Sequence, residues 1–357
     1  MKQPLILAVN PGSTSTKIAV YQGESPLFET VLRHSREEMD AYPGMGEAMA
    51  FRRGLVKEAL AAHGVEEGEL AAVIGRGGLI RPVAGGAYRV NDAMAEDLLS
   101  CQYGSHASNL GGLIARTIGE EHNIPALIAD PPVVDELCQE ARISGYPDIS
   151  RISIFHALNQ KAVAKRYCAG LGKSYEQTNL IVAHMGGGVS VGAHKNGRVI
   201  DVNDALGGDG PFSAERAGGL PAAALVRLCF SGQYDSAAQA VRALLTKGGL
   251  YGYLGTNDGR EVSARIAQGD EKAALVYKAM AYQIAREIGA CAASLGTGAE
   301  AVILTGGFAY DTCLTGWIQK RVEHLAPVIV MPGEDELRAL AEAALRVLRG
   351  QEEAMEY

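Results

Sequence analysis

The sequence lacks the features that mark several large classes of protein. Its formal net charge is −8, so it does not carry the basic field expected of a protein that binds a nucleic-acid backbone. No apolar run approaches the ~18 residues that a membrane-spanning helix needs. The N-terminus has no long apolar region with a small-residue cleavage site, so we expect no signal peptide.

The six cysteines are scattered along the chain without a C-x-x-C pair. This pattern is typical of reduced thiols rather than of disulfides or a metal site. We therefore expect a cytoplasmic protein that has neither nucleic acid nor a membrane as a partner.

What the sequence does contain is a regular alternation of predicted strands and helices from about residue 45 onward. This alternation predicts an α/β fold, and the 357 residues are enough for two domains. Many of the 44 glycines sit in short clusters after apolar runs, where a glycine lets the backbone approach a ligand closely.

One pattern occurs twice in the chain. Near the N-terminus, an apolar strand (5–9), a hydroxyl-rich loop and a second strand (17–21) follow one another, and a third strand is predicted after Gly23. The second copy consists of LIVAH (180–184), a glycine loop, VSVGAHK (189–195), an Asn-Gly turn and RVIDVND (198–204). Asn-Gly between two apolar-alternating runs is a strong hairpin signal. The repetition predicts a duplicated domain core.

The loop of each copy is a candidate phosphate cradle, because small residues expose backbone N–H groups and the hydroxyls and Lys17 can bind anions. A polar turn or a bulge would explain either loop alone, but two such loops in corresponding places are typical of the actin-like ATPase superfamily. A glycine turn after a late strand would contact the adenosine. The candidate phosphate-binding residues are Asn10, Gly12, Ser13, Ser15, Lys17, His184, Gly186, Gly187 and Gly188, and the candidate adenosine-binding residues are Thr305, Gly306 and Gly307.

A third glycine-containing segment, 170–174, ends like a Walker A loop. The position where a Walker A loop requires its first glycine is occupied by Tyr167, and the segment follows a predicted helix rather than a strand. We do not assign it to nucleotide binding.

Several further motifs occur in an order that resembles the acetate and butyrate kinase family. They are NPGSTSTK (10–17), GRGGLIRP (75–82), the segment around His106, ADPP (129–132), SIFHALNQK (153–161), HMGGGVS (184–190), AERAGG (214–219) and LTGG (304–307). The resemblance covers essentially the whole chain. The chain length and the wording of the first motifs are closer to the butyrate kinases.

The resemblance implies duplicated actin-like ATPase (ribonuclease H-like) domains with mixed sheets and a central cleft. It also implies reversible transfer of the γ-phosphoryl group of ATP to the carboxylate of butyrate or a similar short-chain or branched fatty acid. The expected products are ADP and an acyl phosphate, the expected cofactor is Mg²⁺, and the expected assembly is a homodimer. We expect residues 1–155 and the C-terminal segment 335–357 to form one domain, and 156–334 the other.

The family's functional residues map onto individual positions of this chain. Arg76 and Arg216 resemble the arginines that hold the carboxylate and the transferring phosphoryl group, Asp130 the aspartate that positions the substrate or metal, and His156 the histidine that stabilises the phosphoryl group. Asn10 and Glu336 resemble the residues near Mg²⁺, although Glu334 and Asp335 leave the register open. The implied substrate pocket contains Gly78, Ser105, His106 and Phe155.

Three positions depart from the acetate kinase pattern. A histidine expected four residues after His156 is Gln160, so its role is either dispensable or replaced. A valine and a leucine that limit the acyl pocket are Gly78 and Ser105. Both of these changes remove side-chain volume, which predicts room for a longer acid.

Other functions remain open from the sequence. An acetate or propionate kinase would share these motifs, and a sugar kinase of the same superfamily is a more distant alternative. A non-enzymatic ATP-binding protein related to actin or to heat-shock chaperones would carry an appended peptide-binding module, which we do not expect. A purely structural filament subunit would not explain the two arginines and His156.

Overall fold

The structure is a computed structural model that describes residues 3–357, with the side chain of Arg36 excepted. The chain forms two compact units, Met1–Val134 with Asp335–Tyr357, and Asp135–Glu334. The first unit ends before residue 155, and its C-terminal part begins at Asp335.

The segment 135–155 belongs to the second unit because its backbone bonds to the strands there. Cys138 N donates to the Ile200 carbonyl (2.9 Å), and Ala205 N donates to the Ile154 carbonyl (2.9 Å). These pairings are distant in the sequence, so no local composition change marks the boundary.

The first unit contains a six-stranded mixed sheet with the order β3-β2-β1-β4-β6-β5. Strands β1, β2 and β3 form an antiparallel meander, and β4 and β6 extend the sheet in parallel with β1. The strands are β1 Leu5–Pro11, β2 Ser15–Gln22, β3 Ser25–Arg33, β4 Leu70–Arg76, β5 Ala87–Arg89 and β6 Ala126–Ala129.

The second unit contains a five-stranded mixed sheet with the order β11-β10-β7-β8-β9. Strands β7, β8 and β9 repeat the antiparallel meander, and β10 and β11 repeat the parallel extension. The strands are β7 Asn179–Met185, β8 Val189–Lys195, β9 Arg198–Val202, β10 Ala301–Gly306 and β11 Val328–Pro332.

Helices cover both sheets, as expected for an α/β fold. The first unit contains α1 Arg36–Asp40, α2 Met45–Ala62, α3 Asp92–Ser100, α4 Asn109–His122 and the last helix of the chain, α13 Glu336–Leu348. The second unit contains α5 Gln139–Arg142, α6 Ala157–Gly170, α7 Ala222–Cys229, α8 Ala237–Thr246, α9 Gly249–Leu254, α10 Gly259–Ala267, α11 Glu271–Leu295 and α12 Thr312–Val322.

The predicted duplication and the α/β fold with mixed sheets are confirmed. Strands β1 and β7 each have seven residues, and Asn10 and His184 occupy the sixth place of the two strands. The predicted hairpin turn also forms, because Asn196 (φ 50°) and Gly197 (φ 82°) both adopt the left-handed conformation that this tight turn requires.

Each unit buries its own apolar core between sheet and helices. In the first unit, β1 is buried over its whole length and packs against α13 and α4. In the second, α6 covers one face of β7 and β10, and α11 covers the other side of the meander. Across residues 3–357, no helix is both long enough and apolar enough to cross a membrane.

Candidate active site

The first loop, between β1 and β2, is held from behind by a buried arginine of α2. Arg52 is only 2% exposed, and its guanidinium donates to the carbonyls of Gly12 (2.6 Å), Ser13 (3.3 Å) and Ser15 (3.2 Å). It also donates to the Thr16 hydroxyl (3.2 Å). A peptide whose carbonyl is bound on one side presents its N–H on the other, so this contact orients the loop for an anion. Sequence reasoning missed Arg52, which carries no motif.

The predicted metal and carboxylate residues of the first unit form one cluster. Asn10 Nδ2 donates to Glu336 Oε2 (2.5 Å), and Arg76 forms an ion pair with the other carboxylate oxygen of Glu336. The structure therefore places Glu336 beside Asn10. Glu334 belongs to the second unit, where its carboxylate lies 3.6 Å from His184 Nε2. Lys17 is exposed on β2, directly opposite Asn10 in the strand register.

Asn10 and Glu336 together offer oxygen atoms of the kind that a hard divalent cation prefers. The amide nitrogen of Asn10 faces Glu336, so its amide oxygen is the atom left for a cation. Mg²⁺ in kinases is commonly held by one or two protein oxygen ligands together with substrate phosphates. The two side chains fit that arrangement. In this structure Arg76 balances the charge of the Glu336 carboxylate.

Asp130 and His106 have defined positions in the same unit. Asp130 has a positive φ of 40° and is 5% exposed. Its carboxylate accepts from Gly86 N (2.8 Å), and its own N donates to the Gly86 carbonyl (3.0 Å). These two bonds hold the turn at Gly86. Desolvation and the charge of Arg76 lower the pKa of the His106 imidazole, whose Nδ1 bonds to the Ser108 hydroxyl (2.8 Å).

The prediction that Gly78 makes room for a longer acid is wrong. A side chain at Gly78 would point into the protein, where its Cβ would lie 2.6 Å from Asn109 Cα and 2.8 Å from a methyl of Leu98. Protein atoms occupy this space, so the missing valine does not enlarge an acyl pocket. Glycine at this position instead lets the segment after β4 pack against α4.

Ser105 and His106, by contrast, line a cavity of about 440 Å³ in the first unit. Gly12 and Ser13 of the first loop line the same cavity. Its remaining wall is apolar at Met39, Pro43, Met45 and Leu110, and it also includes the charged Arg52. The cavity thus joins a polar edge, formed by the loop, Arg52 and His106, to an apolar wall from α1, α2, α4 and the segment between α1 and α2. Phe155 is buried in the second unit and does not line it.

In the second loop, Gly188 allows two functional side chains to touch the backbone. A Cβ on Gly188 would overlap the guanidinium of Arg216 and would lie 3.3 Å from His156 Cε1. Ser213, three residues before Arg216, donates its hydroxyl to the Gly187 carbonyl (2.7 Å). The glycine loop therefore brings together Arg216 and His156, which sequence reasoning assigned to one reaction.

Arg216 and the two histidines are partly or fully enclosed. Burial lowers the pKa of Arg216, whose guanidinium also donates to the Ala205 carbonyl. The rings of His156 and His184 are stacked, with centroids 3.8 Å apart and an interplanar angle of 11°. His184 is 2% exposed and its Nδ1 bonds to Asn159 Oδ1 (2.7 Å).

A cavity of about 980 Å³ adjoins this loop and is lined by Gly186, Gly187 and Gly307. Of the three predicted adenosine residues, Gly307 alone lines the cavity. Gly306 (φ 88°) packs against the backbone of Met185, and Thr305 donates to the Gly333 carbonyl (3.1 Å), so these two position the turn. The cavity has the size of small-molecule sites.

Sequence reasoning missed the remaining wall of this cavity. Its polar residues include Asn257, Asp258, Arg260 and Asp311, and its aromatic residues include Tyr277 and Phe308. Asp311 accepts bonds from the hydroxyls of Ser263 and Tyr277 and from two N–H groups at the start of α12. The one available signal was the cluster Asn257-Asp258-Gly259 at the start of α10.

A separate group in the first unit, Glu67, Glu121 and His122, has the spacing of metal ligands. Arg53 already provides the cation there, because its guanidinium pairs with Glu67 (2.6 Å) and Glu121 (2.6 Å). We interpret this group as an ion-pair network between α2 and α4.

Comparison with known proteins identifies the family. The acetokinase family profile matches residues 148–320. Over 352 residues, 99% of both chains, the sequence is 53% identical to butyrate kinase 1 of Clostridium acetobutylicum. It is equally similar to a probable butyrate kinase of Clostridium botulinum.

Solved structures agree on the fold. An acetate kinase from Porphyromonas gingivalis matches with a TM-score of 0.76 at 20% identity, covering 96% of this chain and 99% of that one. A propionate kinase from Francisella tularensis matches with a TM-score of 0.73 at 20% identity, covering 95% and 99%. The predicted resemblance is confirmed, and the chain belongs to the acetokinase family of carboxylate-accepting phosphotransferases.

Proposed function

We propose that the protein transfers the γ-phosphoryl group of ATP to the carboxylate of butyrate or a similar short-chain acid, giving butanoyl phosphate and ADP reversibly. The observation that carries the proposal is the contact of Arg216 and His156 with Gly188, beside a cavity large enough for a nucleoside. The 53% identity to curated butyrate kinases over almost the whole chain supports the choice of acid.

The chemistry needs charge stabilisation and alignment rather than a protein nucleophile. A carboxylate is ionised at neutral pH, so it attacks without a strong general base. As the phosphoryl group moves, negative charge on its oxygens is stabilised by positioned donors. Arg216 supplies a permanent positive charge and a planar set of N–H donors. His156 supplies a ring N–H.

In the first unit, the proposal assigns two tasks. Arg76 binds the acid's carboxylate or the phosphoryl oxygens, exchanging its pairing with Glu336 for the substrate. Asn10 and Glu336 would hold Mg²⁺, which would neutralise charge on the β and γ phosphates. The mechanism requires Arg76 and Arg216, from different units, to act on the same reacting group, and this joint action is part of the proposal.

The acyl chain is assigned to the cavity lined by Ser105 and His106. Its apolar wall, with Met45 and Leu110, offers surface for two or more methylenes next to the polar first loop. Each buried methylene contributes about 0.8 kcal/mol, so longer acids should bind better until the cavity is filled. An acetate kinase reading would leave most of this surface unused. The predicted homodimer and closure of the protein on nucleotide stay predictions of this proposal.

The direct test is to trap the acyl phosphate with hydroxylamine. Purified protein is incubated with ATP, MgCl₂ and linear acids of two to six carbons, and hydroxamate is measured for each. We expect hydroxamate that depends on ATP, on the metal and on the acid, with a maximum near four carbons. Absence of hydroxamate with every acid, in protein shown to be folded, would reject the proposal.

A further inference from the structure

A chain of buried hydrogen bonds leads from His156 into the interior of the second unit. His156 Nδ1 bonds to the Ser190 hydroxyl (2.8 Å), and this hydroxyl bonds to Gln160 Nε2 (2.8 Å). Gln160 Oε1 bonds to His194 Nε2 (3.0 Å), and His194 Nδ1 bonds to the Tyr175 hydroxyl (2.7 Å). Gln160, Ser190 and His194 are 0% exposed.

A backbone carbonyl fixes the orientation of the Gln160 amide. The carbonyl of Ser190, which can only accept, lies 3.1 Å from Gln160 Nε2. The amide nitrogen must therefore face Ser190, and the amide oxygen must face His194. Because an amide oxygen only accepts, His194 donates through Nε2.

The same logic places the proton of the next ring. Complete burial, together with the charge of Lys161, lowers the pKa of His194 to about 3, so the ring is neutral near pH 7. With its proton on Nε2, His194 accepts at Nδ1 from the Tyr175 hydroxyl. From Tyr175 to Gln160, each hydrogen bond of the chain therefore has one possible donor and one possible acceptor.

The hydroxyl of Ser190 then has a single acceptor. Within residues 3–357, its hydrogen-bond partners are Gln160 Nε2, which can only donate, and His156 Nδ1. The hydroxyl proton therefore goes to His156 Nδ1, which must be unprotonated. Donors that point in one direction along such a chain strengthen one another.

We propose that this buried chain holds His156 in the neutral tautomer that carries its proton on Nε2. Ser190 and Gln160 are positioning residues that act through His156. Gln160 thereby has a definite task at the position where acetate kinases are expected to have a second histidine.

The functional consequence rests on the proposed function above. Cε1 of His156, which is bonded to both ring nitrogens, would lie 3.3 Å from a Cβ on Gly188, where Arg216 also approaches the loop. An N–H on Nε2 can donate to a phosphoryl oxygen there, whereas the other tautomer would present a lone pair and repel it. The stacked His184 differs at Nδ1, which carries a proton, because Asn159 directs its amide nitrogen at the carbonyl of Glu334 (3.0 Å) and its oxygen at His184.

The test is a long-range ¹H–¹⁵N correlation spectrum of the full chain labelled with ¹⁵N-histidine, without nucleotide, near pH 7.5. His156→Asn and His184→Asn variants assign the two rings. We expect the Nε2–H pattern for His156 and an Nδ1–H pattern for His184. A wild-type spectrum with His156 protonated on Nδ1 overturns the proposal without need of any further variant.

Two substitutions test the positioning role. Ser190→Ala removes the donor to Nδ1, so the Nδ1–H form of His156 should become populated, and kcat should fall about fivefold, as expected for one neutral hydrogen bond. The KM for ATP should stay within about twofold. Gln160→Met should shift the His156 tautomer in the same direction, because it frees the Ser190 hydroxyl to rotate.

Thr178→Val is the matched control. It removes another buried hydroxyl of the second unit, which donates to the Ser174 carbonyl (2.7 Å) beside Tyr175, at the end of the chain opposite His156. It should leave the His156 spectrum and kcat unchanged. If Ser190→Ala leaves the His156 tautomer unaltered, the positioning role is rejected. If the spectra agree but no acyl phosphate forms in the wild type, the proposed function fails and the tautomer assignment stands.

Discussion

The loops that follow β1 and β7 occupy corresponding places of a duplicated core but achieve their shape in opposite ways. In the first, a charged side chain from outside the loop, Arg52, binds the loop carbonyls. In the second, the loop consists of three glycines, and Arg216 and His156 approach its backbone. The two copies thus share a backbone path but differ in the side chains that contact the loop. In one loop the backbone is held by the buried Arg52, and in the other the glycine backbone leaves room for Arg216 and His156.

The helices behind the two sheets extend this comparison. Helix α13 packs on β1 and β4, and α6 packs on the corresponding β7 and β10. Glu336 is the first residue of α13, and His156 is the N-cap of α6. Corresponding helix starts thus carry a carboxylate in one unit and an imidazole in the other.

The largest effect should come from removing the charge at the second loop. Arg216→Ala should lower kcat/KM for phosphoryl transfer by about 10²–10³, as for other preorganised transition-state donors. The exposed Arg227 on α7 is a matched control, and Arg227→Ala should leave kcat/KM unchanged. Near wild-type kcat/KM in a folded Arg216→Ala protein would remove Arg216 from the mechanism.

Adding a methyl group at the second loop should have the next largest effect. Gly188→Ala places a Cβ where the Arg216 guanidinium lies, so Arg216 must move and kcat should fall about 10- to 100-fold. At Gly187 nothing lies within 4 Å of an added Cβ, so Gly187→Ala should cost less. Steady-state kinetics of the two variants compare them directly, and equal losses would contradict the contact with Arg216.

The first loop should respond to its supporting arginine in KM rather than in kcat. Arg52→Met removes charge-assisted bonds to the loop carbonyls, each worth roughly 1.5–3 kcal/mol, so KM for ATP should rise about tenfold. Arg53 is the neighbouring control. Arg53→Met breaks the ion pairs with Glu67 and Glu121, so it should lower the Tm while KM stays unchanged. A Tm loss without a KM change in Arg52→Met would make Arg52 merely structural.

The smallest effects concern the acyl cavity of the first unit. Ser105→Leu should reduce butyrate activity relative to acetate by about fourfold for each methylene displaced. Gly78→Val should instead lower the Tm and reduce activity on both acids alike, because the valine collides with Asn109 and Leu98. Kinetics with both acids and thermal unfolding separate the two variants. Selective loss of butyrate activity in Gly78→Val would restore Gly78 to the pocket.

Sequence reasoning succeeded where the physics is local. The Asn196-Gly197 turn, the two loops and the alternation of strands and helices depend on neighbouring residues, and all of them formed as predicted. The motifs also led to Arg216, His156 and Gly188, which the structure brings together.

The failures share a different cause, since each depends on contacts between distant segments. The contact of Arg52 with the first loop exists only because α2 packs behind that loop, and no local pattern predicts it. The bonds of Gln160 likewise depend on β8, which carries Ser190 and His194. Gly78 looked like lost pocket volume because the sequence does not show that α4 fills the space.

The central claim is that this chain phosphorylates carboxylates with a preference for butyrate, and competition in one vessel tests it most directly. Acetate and butyrate at equal, subsaturating concentrations are supplied with ATP, MgCl₂ and hydroxylamine, and the two hydroxamates are separated and quantified. Their initial ratio equals the ratio of kcat/KM. Two extra buried methylenes predict a ratio of about 15 in favour of butyrate. A ratio at or below one would contradict the account.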